Sequence, residues 1–297
     1  LSDQFAALNE RLNQGQVYGA RSFQLKQGDL RIADGLKASS INVSVDNGSL
    51  RVTGLVDASG ARVGSITLAG KHGLTLDGSA ALDAHGSQLR VDSYGKIIDA
   101  PNRAIVDLSS GTGQLALADG VRIDLRHGTG VAVGSAAGLN DGRARGTLEL
   151  SAPRLGANGL PDLNDAGDAA VYGDIAIDAR GVLDIRGARS IAVNGMQRYD
   201  DAPLVSTATA SGRPYQEITQ AWFKAKHDDS DDFINAATER ASLMTGKLAG
   251  LRNPAFADAF HLRPGVEIVS NAVTNPGGDI VVAGDLDLSG YRYASVN

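Results

Sequence analysis

The chain has 297 residues, of which 37 are glycine, with no cysteine, few aromatics and a net charge of −6. An acidic balance without a basic stripe excludes nucleic acid and acidic membrane surfaces as partners. No apolar run approaches the roughly 18 residues of a membrane span, and Leu1 to Gln14 has neither the basic start nor the apolar core of a signal peptide.

In chain order, the first predicted element is a short helix over 1–15, with Phe5, Leu8 and Leu12 on one face. Residues 16–193 then carry a different pattern. Asn47-Gly48-Ser49-Leu50-Arg51-Val52 leads to Leu55-Val56-Asp57-Ala58-Ser59-Gly60, and the theme returns as Leu74-Thr75-Leu76 before Leu82-Asp83-Ala84-His85-Gly86. Further copies run from Leu115 to Gly128 and from Asp174 to Gly187. Each apolar stretch is short, alternates with period two and is broken by glycine, which would cost a helix about 1 kcal/mol each. Short strands in units of about 20 residues predict one coil per unit, stacked in parallel with its neighbours around a narrow aliphatic core. The expected fold is an all-β parallel solenoid. Glycine far above the usual share of about 7% suits its tight corners.

Between 194 and 262 the strand pattern gives way to helix formers and the sole tryptophan, predicting a mainly helical insertion, with coils resuming over 263–297. Ile218, Ala221, Trp222 and Ala225 mark one helix starting at Pro214. Phe233, Ile234, Ala237, Ala241 and Met244 mark a second, capped by Asp229 or Ser230 after the acidic run Asp228, Asp229, Asp231, Asp232. Together they read as a helical hairpin. Trp222 and Phe223 either pack it on the solenoid flank or, with Lys226, form a partner-binding surface, since repeat scaffolds place recognition on what they insert.

Catalytic chemistry has one candidate cluster, Asp92, Lys96, Asp99, Arg103 and Asp107, where cations and carboxylates alternate as a polysaccharide lyase would need. Aspartate is also the ordinary residue of solenoid turns, because it accepts backbone N–H bonds. No nucleophile elbow, phosphate loop or dinucleotide fingerprint is present in its proper setting, so no cofactor is expected and the chain reads as a non-enzyme. His72, His85, His127, His227 and His261 form no two-histidine motif; the first three precede glycine in turns, and no metal is expected. The acidic run fits helix capping better than calcium, lacking the EF-hand spacing.

Gly48 to Gly60, Leu82 to Gly86, Gly278-Asp279-Ile280-Val281-Val282, Phe260-His261-Leu262-Arg263-Pro264-Gly265-Val266-Glu267-Ile268 and Asp285-Leu286-Asp287-Leu288-Ser289-Gly290-Tyr291-Arg292-Tyr293 resemble the large exoproteins of the filamentous haemagglutinin family. The resemblance covers most of the chain. It implies a right-handed parallel β-helix, secretion by a Gram-negative bacterium through a partner pore in the outer membrane, and residence at the cell surface. The implied role is adhesion to a host-cell or bacterial receptor or glycan, within biofilms included; a stalk for contact-dependent toxin delivery is the alternative, and a β-helix polysaccharide lyase or hydrolase the second. The secretion domain at the start of such proteins carries a motif of Asn-Pro-Asn-Gly type; Asn253-Pro254-Ala255-Phe256 and Asn275-Pro276-Gly277-Gly278 depart from it, so no secretion residue carries over. With both ends falling in mid-pattern, the chain reads as an interior segment.

Overall fold

A computed structural model describes residues 1–134, 139–161, 171–205 and 213–289. They form two compact units: Leu1–Ala152 with Ala176–Asn194 and Ser242–Leu262, and Pro153–Ile175 with Gly195–Ala241 and Arg263–Asn297.

The first unit is the parallel solenoid that the alternation predicts. Its first sheet stacks Ala20–Leu25, Ser40–Val45, Ser65–Gly70, Ile105–Ser109 and Gly146–Leu155 in parallel. The second stacks Leu30–Ile32, Leu50–Val52, Leu74–Leu76, Leu115–Leu117 and Ile177–Asp178. The third stacks Leu36–Lys37, Leu55–Asp57, Ala81–Asp83, Arg122–Asp124 and Asp184–Arg186.

Register carries the same kind of side chain inward at each level. Ile41, Ile66, Val106 and Leu148 form one column and Leu36, Val56, Leu82, Ile123 and Ile185 another. Ile66, Leu68, Leu74 and Leu76 are all 0% exposed, each stabilising the stack by roughly 1.5–3 kcal/mol. The spacing of register partners widens from Ala20, Ser40 and Ser65 to Ile105 and Thr147. The extra residues leave between the third sheet and the next strand of the first. In one such segment Asn102, buried, accepts from Arg90 N (3.0 Å) and donates to the carbonyls of Arg90 (2.8 Å) and Ile98 (2.7 Å).

The predicted N-terminal helix is present as α1, Ser2–Gln14, but the face it buries carries Phe5 and Asn9, while Leu8 is exposed. The reason is polar: α1 satisfies open backbone groups of the first coil. Asn9 and Asn13 donate to the Gly35 carbonyl (2.7 and 2.9 Å), and Ser2 Oγ accepts from Arg31 N (3.0 Å). Arg21, at the register position where later coils place Ile41 and Ile66, finds Asn9 Oδ1 (2.5 Å). At the last coil, Ala179 N donates to Lys247 O (2.7 Å) and Gly250 N to Ala179 O (2.8 Å), so the segment around the π-helical turn Ser242–Lys247 covers that edge.

The second unit corrects several expectations. The strand Ala188–Tyr199 runs through Asn194, and the second unit takes up the chain from Gly195. Pro214 precedes a strand, Tyr215–Ile218, rather than a helix. That strand pairs antiparallel with Leu204–Val205 and parallel with Ile280–Val282, so coils do not simply resume after 263, although Phe260–Ile268 does join the order of the first sheet. The helical hairpin is one helix, α2, Gln220–Glu239, continuous through the acidic run. Thr219 Oγ1 caps it, accepting from Trp222 N (3.2 Å). Asp228 and Asp231 lie mid-helix because partners four residues earlier meet them, Lys224 at 2.6 Å and His227 at 3.3 Å. Ser230 is no cap either; its hydroxyl donates to Lys226 O (2.9 Å). Gly290 to Tyr293 of the terminal stretch lie outside the described residues.

Candidate functional site

The outward positions of the third sheet form two columns. One runs Lys37, Asp57, Asp83, Asp124, Arg186; the other runs Leu55, Ala81, Arg122, Asp184. The first column therefore sets three stacked carboxylates between a cation at each end. Parallel pairing places successive side chains roughly 4.8 Å apart, so the three negative charges repel unless each finds a partner.

Each carboxylate is anchored by the turn that follows it. Asp57, Asp83 and Asp124 accept from the backbone N–H two residues on, of Ser59 (2.9 Å), His85 (3.1 Å) and Arg126 (3.1 Å). This is the recurring Asp-x-x corner of the sequence. Asp57 also accepts from Ser59 Oγ (2.6 Å) and pairs with Lys37 (3.0 Å). Burial pushes its carboxyl up, but the Ser59 and Lys37 bonds outweigh it and hold the group below the usual carboxylate range. Asp124 is likewise pushed up by burial and brought down by Arg126, whose Nε lies 2.9 Å away. Asp83 differs: among the described residues no Lys or Arg pairs with it, and its partner is His85 Nδ1 at 2.6 Å.

Asp83, His85 and Asp124 thus converge, each offering one ligand atom, all within 4.8 Å of one another. Beside them opens a cleft of about 300 Å³ lined by Leu55, Asp83, Arg122, Asp124, Asp184 and Arg186. An imidazole and two carboxylates beside a charged cleft can hold a cation or a polar ligand.

The residues of the candidate acid–base cluster have separate structural partners. Asp92 closes its own turn, accepting from Tyr94 N (2.9 Å) and Lys96 N (2.8 Å). Asp99 pairs with Arg145 Nε (2.6 Å), which also binds Asp141 through two bonds of 2.8 Å and faces His127 Nε2 at 3.1 Å. Arg145 is buried and ties the two inserted corner segments together. His127 is correspondingly buried rather than on a surface turn, and desolvation, with Arg145 beside it, pushes its pKa down.

Asp107 faces out of the first sheet, with Glu149 its register partner. Burial first, and Glu149 second, push its carboxyl above the usual range. A raised acid pKa means that ionisation costs folding free energy at neutral pH, a cost that disappears as pH falls through the folded pKa toward the unfolded one. Asp107→Asn is therefore expected to raise the denaturation midpoint at pH 7 and to lose that advantage below about pH 4. Paired urea titrations at the two pH values check this; a variant less stable at pH 7 contradicts it.

The expected partner-binding residues are placed inward. Trp222 is 9% exposed in a core with Tyr199, Ala202 and Ile218, and Phe223 packs against it. Lys226 lies over the Tyr199 ring (4.7 Å) and pairs with Asp201 (2.6 Å), which also accepts from Trp222 Nε1 (3.3 Å). Of the two readings of Trp222 and Phe223, these contacts fit packing, and with the Lys226–Asp201 pair they stabilise α2. The acidic run, with Asp228 and Asp231 engaged in the helix, forms no ligand group among the described residues.

No family model matches the chain, and neither a curated protein nor a solved structure matches it.

Proposed function

We propose that the chain is a non-catalytic scaffold from a secreted bacterial surface protein, whose solenoid presents repeated charged columns for adhesion to cells or glycans. The observation that carries the reading is the stacked outer ladder of the third sheet, with Asp57, Asp83, Asp124, Arg122, Asp184 and Arg186 held at fixed spacing by parallel register. A pre-organised array loses little entropy on binding, and weak contacts repeated at fixed intervals sum to avidity. Export through an outer-membrane pore belongs to the same reading: the sequence resemblance supports it, and a cysteine-free chain has no disulfide to form before passage.

Binding of the purified chain to epithelial and bacterial cells tests the proposal against an Arg122→Gln, Arg186→Gln variant. Binding by the parent, weakened at least about ten-fold in the variant, is expected. Equal binding by both, or by neither, overturns it.

A further inference from the structure

We propose that Asp83, His85 and Asp124 form a binding site for a divalent transition-metal ion of the zinc type. The site rests on register, not on the adhesion reading. Asp83 and His85 come from one corner, and Asp124 is the residue paired with Asp83 in the next coil. One ligand atom from each already lies within 4.8 Å of the others, and Asp83 Oδ1 is 2.6 Å from His85 Nδ1. Zinc bound at about 2.0–2.2 Å to nitrogen and oxygen sets its ligand atoms about 3.3 Å apart in a tetrahedron. Small side-chain rotations of these half-buried groups close that difference, with no change in the parallel ladder behind them.

The local charge asks for such an ion. Three carboxylates stack in this column; Lys37 meets Asp57 and Arg126 meets Asp124, which leaves Asp83 with an imidazole alone. A dication between Asp83 and Asp124 offsets their mutual repulsion directly. The donor set selects its class: one imidazole with two carboxylates suits zinc and its neighbours, whereas calcium takes six to eight oxygens and magnesium keeps its waters. Three protein ligands leave a fourth position beside the cleft that Arg122 and Arg186 line. Arg126 is the built-in competitor, since its guanidinium holds both carboxylate oxygens of Asp124. The ion must displace it from one of them.

Titration of the full, tag-free chain with Zn²⁺ alone, by calorimetry and chelator competition, tests the site, with Ca²⁺ and Mg²⁺ as comparators. One equivalent of Zn²⁺ is expected, with X-ray absorption reporting a single imidazole among oxygen ligands. His85→Gln and Asp124→Asn are expected to weaken it at least ten-fold while circular dichroism and Trp222 fluorescence stay those of the parent. Arg126→Gln is expected to tighten it several-fold, an effect that a merely structural role for the cluster would not produce. A parent that binds no Zn²⁺, undiminished binding in His85→Gln, or weaker binding in Arg126→Gln overturns the proposal. No cells enter this experiment, so its failure leaves the adhesion test standing, and the reverse.

Discussion

Gly113→Ala is expected to destabilise the solenoid by about 3 kcal/mol, at the upper end for overpacking a well-filled site. A Cβ at Gly113 would come within 3.0 Å of the backbone of His72 and Gly73 in the preceding coil. Neither side can retreat. Thr112 N donates to Lys71 O (2.8 Å) and Leu74 N to Gln114 O (3.0 Å), so the two corners are bolted together on both sides of the contact. Relief requires breaking those bonds or moving the strand Leu115–Leu117, whose Leu115 and Leu117 are buried. Gly19→Ala is the matched control, since a Cβ there meets nothing within 4 Å, and it is expected to change stability by no more than about 0.5 kcal/mol. Guanidinium titrations followed by far-ultraviolet circular dichroism separate the two; equal effects would mean that the coils are not in this close contact.

Phe233→Ala is expected to cost about 4 kcal/mol, within the range for deleting a fully buried aromatic side chain. The ring is 0% exposed and lies under the Arg154 guanidinium, 4.2 Å from its carbon to the ring centroid. Arg154 is itself buried, donates from Nε to the Gly195 carbonyl (3.0 Å), and has its pKa pushed down by desolvation. Removing the ring therefore opens a cavity and takes away a desolvated cation–π contact of about 2 kcal/mol at the same point. Arg154→Met keeps most of the volume and removes the buried charge, so its expected cost is smaller, about 1 kcal/mol, because an apolar replacement for a buried ion is often close to neutral. Trp222, the only tryptophan, belongs to the same unit and reports its unfolding by fluorescence. A loss under about 1 kcal/mol in Phe233→Ala would contradict the packing of α2 over Arg154.

The solenoid was legible because its signal is local. Leu50 and Val52 flank Arg51, Val56 and Leu82 each precede an aspartate at a corner, and these short glycine-bounded runs need no knowledge of register. The Asp-x-x corner was equally visible at Asp57 and Asp83. Its consequence was not, because Asp124 reaches Asp83 only through inter-coil pairing, and the inserted corner segments hide the repeat length that would align them. Spacing of the histidines along the chain carries no trace of the His85–Asp83 pair that Asp124 completes from the next coil.

The single helix α2 differs from the expected hairpin for a related reason. The run Asp228 to Asp232 has the composition of a helix start, but Lys224 pairs with Asp228 and the His227 ring meets Asp231 from one turn earlier, and the helix passes through. The helical spacing of Trp222 and Phe223 fits packing and partner binding equally. Their burial depends on Tyr199, Asp201 and Ile280, none of them in the helix. Arg154 is the opposite case: alternation sets it on the inward face with Leu148, Leu150 and Ala152, its charge argues for solvent, and the ring of Phe233 is what receives it inside.

The parallel register of the coils underlies the core columns, the charged ladder and the metal site alike, and paired cysteines test it most directly in a chain that has none of its own. Asn42 and Thr67 face outward and are register partners in adjacent coils, while Asp107 follows one coil later. Adjacent partners fall within the roughly 4.4–6.8 Å Cα separation that a disulfide accepts, and partners two coils apart do not. Mild oxidation of Asn42→Cys/Thr67→Cys is expected to give an intramolecular disulfide, detected by mass shift and loss of free thiol, and Asn42→Cys/Asp107→Cys is expected to give none. Cross-linking of the second pair in preference to the first would contradict the stacked parallel solenoid.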